Sequence, residues 1–448
     1  MHVVELNASA GRGSPARPSR FQVTVFLLCA FVALVDGFDT QIIALAAPDI
    51  ASSWGIAPSA FGGVFASGLV GALFGSIAFG IGADRLGRKP SLVVAILLFG
   101  LVSLLTPFCE NLLELSIVRF VTGIGLGGAL PGVIAVVSEY ASPQRRAAVV
   151  SLMFCGFPLG AVVGGVVAAL VIPEHGWKPL FYLGGLLPLL LLPVFAKFVP
   201  ESIRFLQLHG ERDKLEAVLR KMGAAAHTLD DGSDAKEKLE KSASSWGLLR
   251  SVFGGGRALG SSILTVTFML SLMLSYFLVN WLPLLAHQAG AGGRYAMLGV
   301  AALNLGSIAG CLSLGRLIVR HGPIAPIGLA YAVGAGVIAL IGLSGSSGAL
   351  LLVTCFLGGA FSIGAQMCIV GLGATFYETT VRATGVGWLM GTGRLGAIFG
   401  PILGGLLIAN AVPAPSLFQI AGGLSLAAAA GVCLLGLLCY RGRSPTRA

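Results

Sequence analysis

The chain has 448 residues, of which 56% are hydrophobic and only 11% charged, and its mean hydropathy is +0.90. A soluble domain carries about 25% charged residues, so a water-exposed globule of this size is excluded and a polytopic membrane protein remains. The net charge of +10 would suit a nucleic-acid partner if it were gathered on one soluble face, but it follows a different pattern along the chain.

A helix needs about 20 apolar residues to cross the hydrocarbon core, and twelve stretches meet that length. A Gly/Ser/Pro-rich tail, residues 1–20, comes first and carries Arg12, Arg17 and Arg20. The spans predicted after it are 21–47, 60–82, 91–109, 112–138, 147–171 and 177–199. The first is too long for a signal-peptide core and lacks a cleavage site, so it is expected to stay in place as span 1. A linker, 200–257, holds ten Lys/Arg and nine Asp/Glu from Glu201 to Arg257 and is expected to be helical and outside lipid. Spans 7 to 12 follow at 258–286, 295–318, 324–344, 348–374, 384–409 and 416–440, before a tail at 441–448. With the amino terminus placed in the cytoplasm, 25 of the 29 Lys/Arg fall in or beside cytoplasmic segments. Two lie outside (Lys178, Arg294) and two within spans (Arg119, Arg394). This positive-inside bias puts both termini and the linker in the cytoplasm and leaves no role for nucleic acid.

Glycine is abundant, 65 residues, about twice average usage, as in closely packed transmembrane helices. The eight cysteines form no CxxC pair, and the six histidines form no HExxH cluster, so neither a metal site nor a cofactor is expected. A shift of 235 or 236 residues aligns the halves. Gly80–Gly87 after span 2 meets Gly315–Gly322 after span 8, Phe120 and Gly123 meet Phe356 and Gly359, and Arg146, Gly160 and Gly164 meet Arg382, Gly396 and Gly400. The expected fold is all-α and integral to the membrane: twelve transmembrane helices in two six-helix halves, 21–199 and 258–440. That is a transporter architecture with its site between the halves at mid-membrane.

The segment Gly80-xxx-Asp84-Arg85-x-Gly87-Arg88-Lys89 resembles the signature of the loop between helices 2 and 3 in the major facilitator superfamily. Arg119-Phe120-xx-Gly123-x-Gly125-x-Gly127-Gly128 and Pro200-Glu201-Ser202 fit the same superfamily. Asp36-Gly37-Phe38-Asp39-Thr40 is similar to the DGxD element of its aromatic acid/proton symporters, including those for 4-hydroxybenzoate, protocatechuate and hydroxyphenylpropionate. Ser151–Gly160, Asn280-Trp281-Leu282-Pro283, Arg382–Gly387 and Gly393–Gly396 add to that likeness, which covers residues 21–440. The resemblance implies a monomeric carrier of the bacterial inner membrane that imports a small aromatic carboxylate with protons. It also implies that both acids of the DGxD element matter for transport.

Asp36 and Asp39 are three residues apart and share a helix face. Asp36 lies about 22 Å into span 1 at 1.5 Å per residue. Ionised carboxylates at that depth are costly and mark a proton or substrate pathway; alternatively, one of them caps a helix kinked at Gly37. Arg119 and Arg394 offer planar forks suited to a carboxylate. Each either holds an acidic substrate, neutralises Asp36 or Asp39, or forms a structural ion pair. Glu139, with Arg145, Arg146 and, from the other half, Arg382, would form an inner gate between the halves or a surface ion pair. Asp84, Arg85 and Arg88 belong to a tight hairpin turned at Gly87, read as gating; Val319 replaces the acid in the second copy. Gln366 and Asn280 either bind a ring hydroxyl or bond a neighbouring helix. Phe154, Phe157, Tyr276, Trp281 and Trp388 either clamp a ring or simply pack.

The leading expectation is therefore symport of a small aromatic carboxylate with protons, driven by the proton gradient. A proton-driven exporter of amphipathic or acidic compounds is the alternative. An ATP-driven pump would need a GxxxxGK[ST] loop, and an intramembrane enzyme a nucleophile–base set or metal cluster; neither is visible. A transporter-like receptor would carry a sensor domain, and none is visible.

Overall fold

The computed structural model describes residues 18–142, 144–222, 252–254, 256–344, 347–378 and 381–439. The tail 1–17, most of the linker from 223 to 251, and the tail from 440 onward lie outside the described residues. Among those described, twelve helical spans are long and apolar enough to cross a membrane. Span 1 is Arg20–Trp54, span 2 Pro58–Leu86, span 3 Arg88–Phe108, span 4 Leu112–Tyr140, span 5 Ala148–His175 and span 6 Lys178–Phe198. Span 7 is Ala258–Gln288, span 8 Gly293–His321, span 9 Ile324–Ile341, span 10 Gly348–Phe376, span 11 Thr384–Ala409 and span 12 Ala414–Leu438. Twelve crossings return the chain to the side on which it began. The side shared by Arg20 and Leu438 is the terminal face, and the opposite side the far face.

Span 1 ends at Trp54 rather than at residue 47, because Pro48 does not stop the helix and the chain leaves it only at Gly55, in the left-handed region (φ 64°). At its start, Ser19 and Gln22 form a reciprocal capping box. The Gln22 amide also donates to the Tyr140 carbonyl (2.8 Å), pinning the start of span 1 to the end of span 4. Beyond span 6 the described part of the linker is helical, at Ile203–Leu208 and Arg212–Met222. The second of these buries Leu215, Val218 and Leu219 on one face, and the Lys221 ammonium lies 5.8 Å from the Phe21 ring centroid.

Backbone contacts follow the internal repeat. A Cβ on Gly71 would fall 2.0 Å from the Phe120 carbonyl oxygen, and one on Gly306, at the equivalent position, 1.9 Å from that of Phe356. Gly160 meets the Leu34 carbonyl (1.9 Å) as Gly396 meets that of Met269 (2.0 Å). Such approaches admit only glycine and let spans 2 and 4, 8 and 10, 1 and 5, and 7 and 11 pack backbone to backbone.

The apolar interior is not uniform between the two faces. One buried cluster, including Ile42, Phe65, Trp177, Leu278, Trp281 and Val300, joins both halves on the far side. On the terminal side each half has its own: Val25, Leu92, Val136 and Phe195 in the first, Phe268, Ile327, Ile369 and Val432 in the second. Across the far-side seam, Phe65 meets Trp281 edge to face at 5.3 Å, and within the second half Trp281 donates to the Pro401 carbonyl (3.1 Å). The halves are thus packed together at the far face and separately cored toward the terminal face.

Candidate functional site

Asp39 is fully buried, and its side-chain partners come from two other spans of the same half. Arg119 of span 4 donates from Nη2 to Oδ2 at 2.8 Å and to the Asp39 carbonyl at 3.3 Å. Ser103 of span 3 donates to Oδ1. The Arg119 guanidinium carbon lies 5.9 Å from the Phe181 ring centroid of span 6, and Arg119 Nη1 is buried without a hydrogen bond. Taking two charges out of water is offset only when such geometry satisfies them.

Asp36, one turn toward the terminal face, is 3% exposed and has no ion-pair partner among the described residues. Thr40 donates to its Oδ1 at 3.3 Å, and Oδ2 has no partner. It lies within electrostatic reach of Asp39 and of Arg394 from the other half, and Tyr276 of span 7 feels both Asp36 and Arg394. Arg394, half-buried, donates from Nη1 to the Ala72 carbonyl of span 2 at 3.0 Å. It thereby crosses from span 11 into the first half. Two carboxylates and two guanidiniums thus occupy the middle of the protein, one pair locked and the other unpaired.

The helix passes unbroken through Gly37, so capping a kink there is not the role of either acid. Gly37 instead lets spans 1 and 5 touch, since a Cβ on it would fall 1.9 Å from the Phe157 carbonyl oxygen. Phe157 stacks on Phe154 at 6.3 Å. Asn280 is 6% exposed and its amide donates to the Tyr276 carbonyl of its own helix (2.7 Å). Gln366 is half-buried and lies three residues beyond a π-helical turn, Gly359–Ile363, a feature frequent at functional positions. Trp388 donates to Thr265 Oγ1 (3.1 Å), so this ring packs within the second half.

At the terminal face, where Glu139 with Arg145, Arg146 and Arg382 is read as an inner gate or a surface ion pair, this structure shows an ion pair within the first half. Glu139 forms an ion pair with Arg88 and accepts from Ser202 Oγ at 2.7 Å. Arg88 and Ser202 both lie on the side of the first half, because span 4 ends beside the start of span 3 and the exit of span 6. Glu201 accepts the backbone N–H groups of Arg88 (2.8 Å) and Lys89 (3.1 Å), and Tyr140 Oη donates to its carbonyl (2.7 Å). Arg382 donates to the Tyr377 carbonyl (3.4 Å), while Arg146 Nε has no partner. Asp84 and Arg85 are exposed.

The sequence alone does not single out Ser103, Thr40, Gln41 or Glu201 as site residues. Glu201 had a signal, its place in Pro200-Glu201-Ser202. Ser103 had none, since a serine in an apolar helix ordinarily bonds its own backbone, as Ser67 and Ser76 do. Gln41, 3% exposed with Oε1 unpartnered, stands out only once its burial is known. Among the described residues no group of three or more His, Cys, Asp or Glu is placed to hold a metal ion.

The sequence pattern of the Major Facilitator Superfamily matches residues 29–386. The chain is 35% identical over 419 residues to the gallate transporter of Pseudomonas putida, covering 93% of this chain and 92% of that one. It is 36% identical over 392 residues to the 4-hydroxybenzoate transporter PcaK of the same species, covering 87% of each. It is 34% identical over 392 residues to the 3-(3-hydroxy-phenyl)propionate transporter of Escherichia coli (strain K12), covering 87% and 88%. Among solved structures, the inward open xylose transporter XylE from E. coli superposes with a TM-score of 0.72 at 19% identity, over 92% of this chain and 96% of that one. At that identity the likeness speaks for the fold alone.

Proposed function

The chain belongs to the major facilitator superfamily, and from that premise we propose that it is a proton-coupled symporter importing a small aromatic carboxylate, benzoate- or hydroxybenzoate-like, across a bacterial cytoplasmic membrane. It is a carrier of the aromatic acid transporter branch, not an enzyme, as its superfamily and relatives indicate. Positive charge is concentrated on the terminal face, which supports a cytoplasmic position for both termini. With that orientation, halves packed at the far face and separately cored at the terminal face correspond to an inward-facing state. Alternating access is rocking of the halves that exchanges one seam for the other.

The observation that carries the reading is the charge balance of the centre. Asp36 and Asp39 against Arg119 and Arg394 sum to zero when the site is empty. A bound carboxylate adds one negative charge, and a bound proton removes it. Loading either alone leaves a net charge in a low-dielectric interior, where it is costly; loading both restores neutrality. Asp39 already has its counter-ion, so Asp36 takes the proton. Arg394, the guanidinium that crosses between the halves, takes the carboxylate.

The test is uptake of labelled 4-hydroxybenzoate into proteoliposomes with and without an imposed inward proton gradient, with unlabelled aromatic acids competing. Gradient-dependent accumulation is expected. Absence of accumulation and of competition by any acid, from folded protein, would turn the reading to proton-driven export.

A further inference from the structure

Gln41 is 3% exposed, and its side-chain carbonyl has no hydrogen-bond partner among the described residues. Buried polar groups in native structures are nearly always satisfied, so an orphaned acceptor in a carrier's centre points to a partner that comes and goes. The internal repeat locates it. Position 41 shifted by 235 is Tyr276, and the same shift relates the backbone contacts of Leu34 and Met269 in the same two helices. Tyr276 lies within reach of Asp36 and Arg394, so the pseudo-twofold axis brings Gln41 to the same centre from the opposite half.

Its depth supplies the chemistry. Gln41 stands five residues beyond Asp36, about 7.5 Å further toward the far face at 1.5 Å per residue. A ring whose carboxylate is held by Arg394 at the level of Asp36, and whose long axis follows span 1, carries its 4-hydroxyl to about that depth. We infer that the Gln41 amide oxygen accepts a hydrogen bond from a hydroxyl para to the carboxylate of the bound ring, making Gln41 a specificity-determining residue for hydroxylated acids. This rests on the aromatic-acid reading with the carboxylate at Arg394. A ring lacking that hydroxyl leaves the acceptor unpaired, and sites of this kind discriminate strongly against the missing group.

The experiment is competition against gradient-driven uptake of labelled 4-hydroxybenzoate in proteoliposomes, using unlabelled 4-hydroxybenzoate, 2-hydroxybenzoate and 4-fluorobenzoate. The fluoro compound has nearly the same shape but no proton to donate. In the wild type, 4-hydroxybenzoate is expected to compete about tenfold better than either analogue, the size of one hydrogen bond to a buried acceptor. In Gln41→Met, which keeps the side chain's length, that preference is expected to shrink to within about twofold. Equal competition by 4-fluorobenzoate in the wild type overturns the inference without any variant, so it stays testable if Gln41→Met fails to insert. A wild-type-sized preference surviving in Gln41→Met overturns it as well. Failure of the wild type to take up labelled acid at all overturns the transport reading, and this inference with it.

Discussion

The two halves share a backbone but not a chemistry. Where the first half packs Gly71 on Phe120 and Gly160 on Leu34, the second packs Gly306 on Phe356 and Gly396 on Met269, all with carbonyl oxygens about 2 Å from where a Cβ would stand. The positions equivalent to Asp39, Arg119 and Ser103 are Leu274, Cys355 and Ile338, three buried apolar side chains. Asp36 is answered by Ser271, which is hydrogen-bonded to Tyr331. Close glycine contacts are what the architecture needs twice, and the buried ion pair is needed once. A helix bundle of this kind therefore stands without the pair, as its own second half demonstrates, so the first half's charges serve something other than packing.

That contrast breaks most sharply at Arg119. Replacing it by the second half's residue, Arg119→Cys, leaves Asp39 fully buried without its counter-ion. Such a loss costs about 3–5 kcal/mol. Adding Asp39→Leu puts the second half's residues at both ends of the pair and should restore most of that stability, because well-packed apolar replacements of buried ion pairs are often neutral. Thermal unfolding of detergent-solubilised protein should rank the single variant lowest and the double near the wild type. A double variant as unstable as the single would mean that the pair is needed for packing after all.

The shared part of the comparison predicts equality. Gly71→Ala and Gly306→Ala each drive a methyl group into a neighbouring backbone carbonyl, and overpacking of this kind costs about 1–3 kcal/mol. The two losses in thermal stability should agree within about 0.5 kcal/mol, the accuracy with which independent sites compare. A markedly smaller loss in one half would show that its helices can separate at that seam and that the repeat is broken there.

Proton binding, in contrast, should answer to the acid of the first half and not to its counterpart in the second. An inward gradient of about one pH unit is worth about 1.4 kcal/mol per proton, a tenfold accumulation. Asp36→Asn leaves the empty centre with one surplus positive charge, which the substrate carboxylate neutralises unaided. Accumulation should fall to about one, while exchange of labelled for unlabelled acid persists. Ser271→Ala, at the equivalent position, removes only a hydroxyl, and accumulation should keep its dependence on the gradient. Undiminished accumulation by Asp36→Asn would remove the proton from that residue.

Much of this was legible before any coordinates. Apolar run lengths delimit the spans, and a charged residue in such a run is conspicuous, so Asp36, Asp39, Arg119 and Arg394 declare themselves. Partners are another matter. Which carboxylate faces Arg119 depends on how spans 1 and 4 are rotated, and no spacing within either span encodes it. Ser103 is one of many serines in apolar helices, and only the approach of span 3 to span 1 directs its hydroxyl to Asp39 rather than to its own backbone. For Glu139, basic residues of both halves lie near it in a topology diagram, and only the packing shows that in this state the end of span 4 opens onto the start of span 3.

That last difference gives the smallest and most discriminating effect. Arg88 and Glu139 are about one-fifth and one-sixth exposed, and partly solvated pairs contribute about 1 kcal/mol or less. Arg88→Ala removes the ion pair but keeps the backbone N–H groups of Arg88 and Lys89 on Glu201 and the Ser202 hydroxyl on Glu139. A double-mutant cycle of Arg88→Ala with Glu139→Ala should therefore return a coupling of about 0.5–1 kcal/mol in thermal unfolding. The corresponding cycle of Glu139→Ala with Arg382→Ala should return none, since Arg382 belongs to the other half and bonds its own Tyr377 carbonyl. Pro323 and Thr375 stand at the positions equivalent to Arg88 and Glu139, so that pair is not repeated there; on the side of the second half Arg257 instead pairs with Glu378 at 3.3 Å. Coupling found across the halves and not within the first would make Glu139 a gate between them rather than a brace inside one.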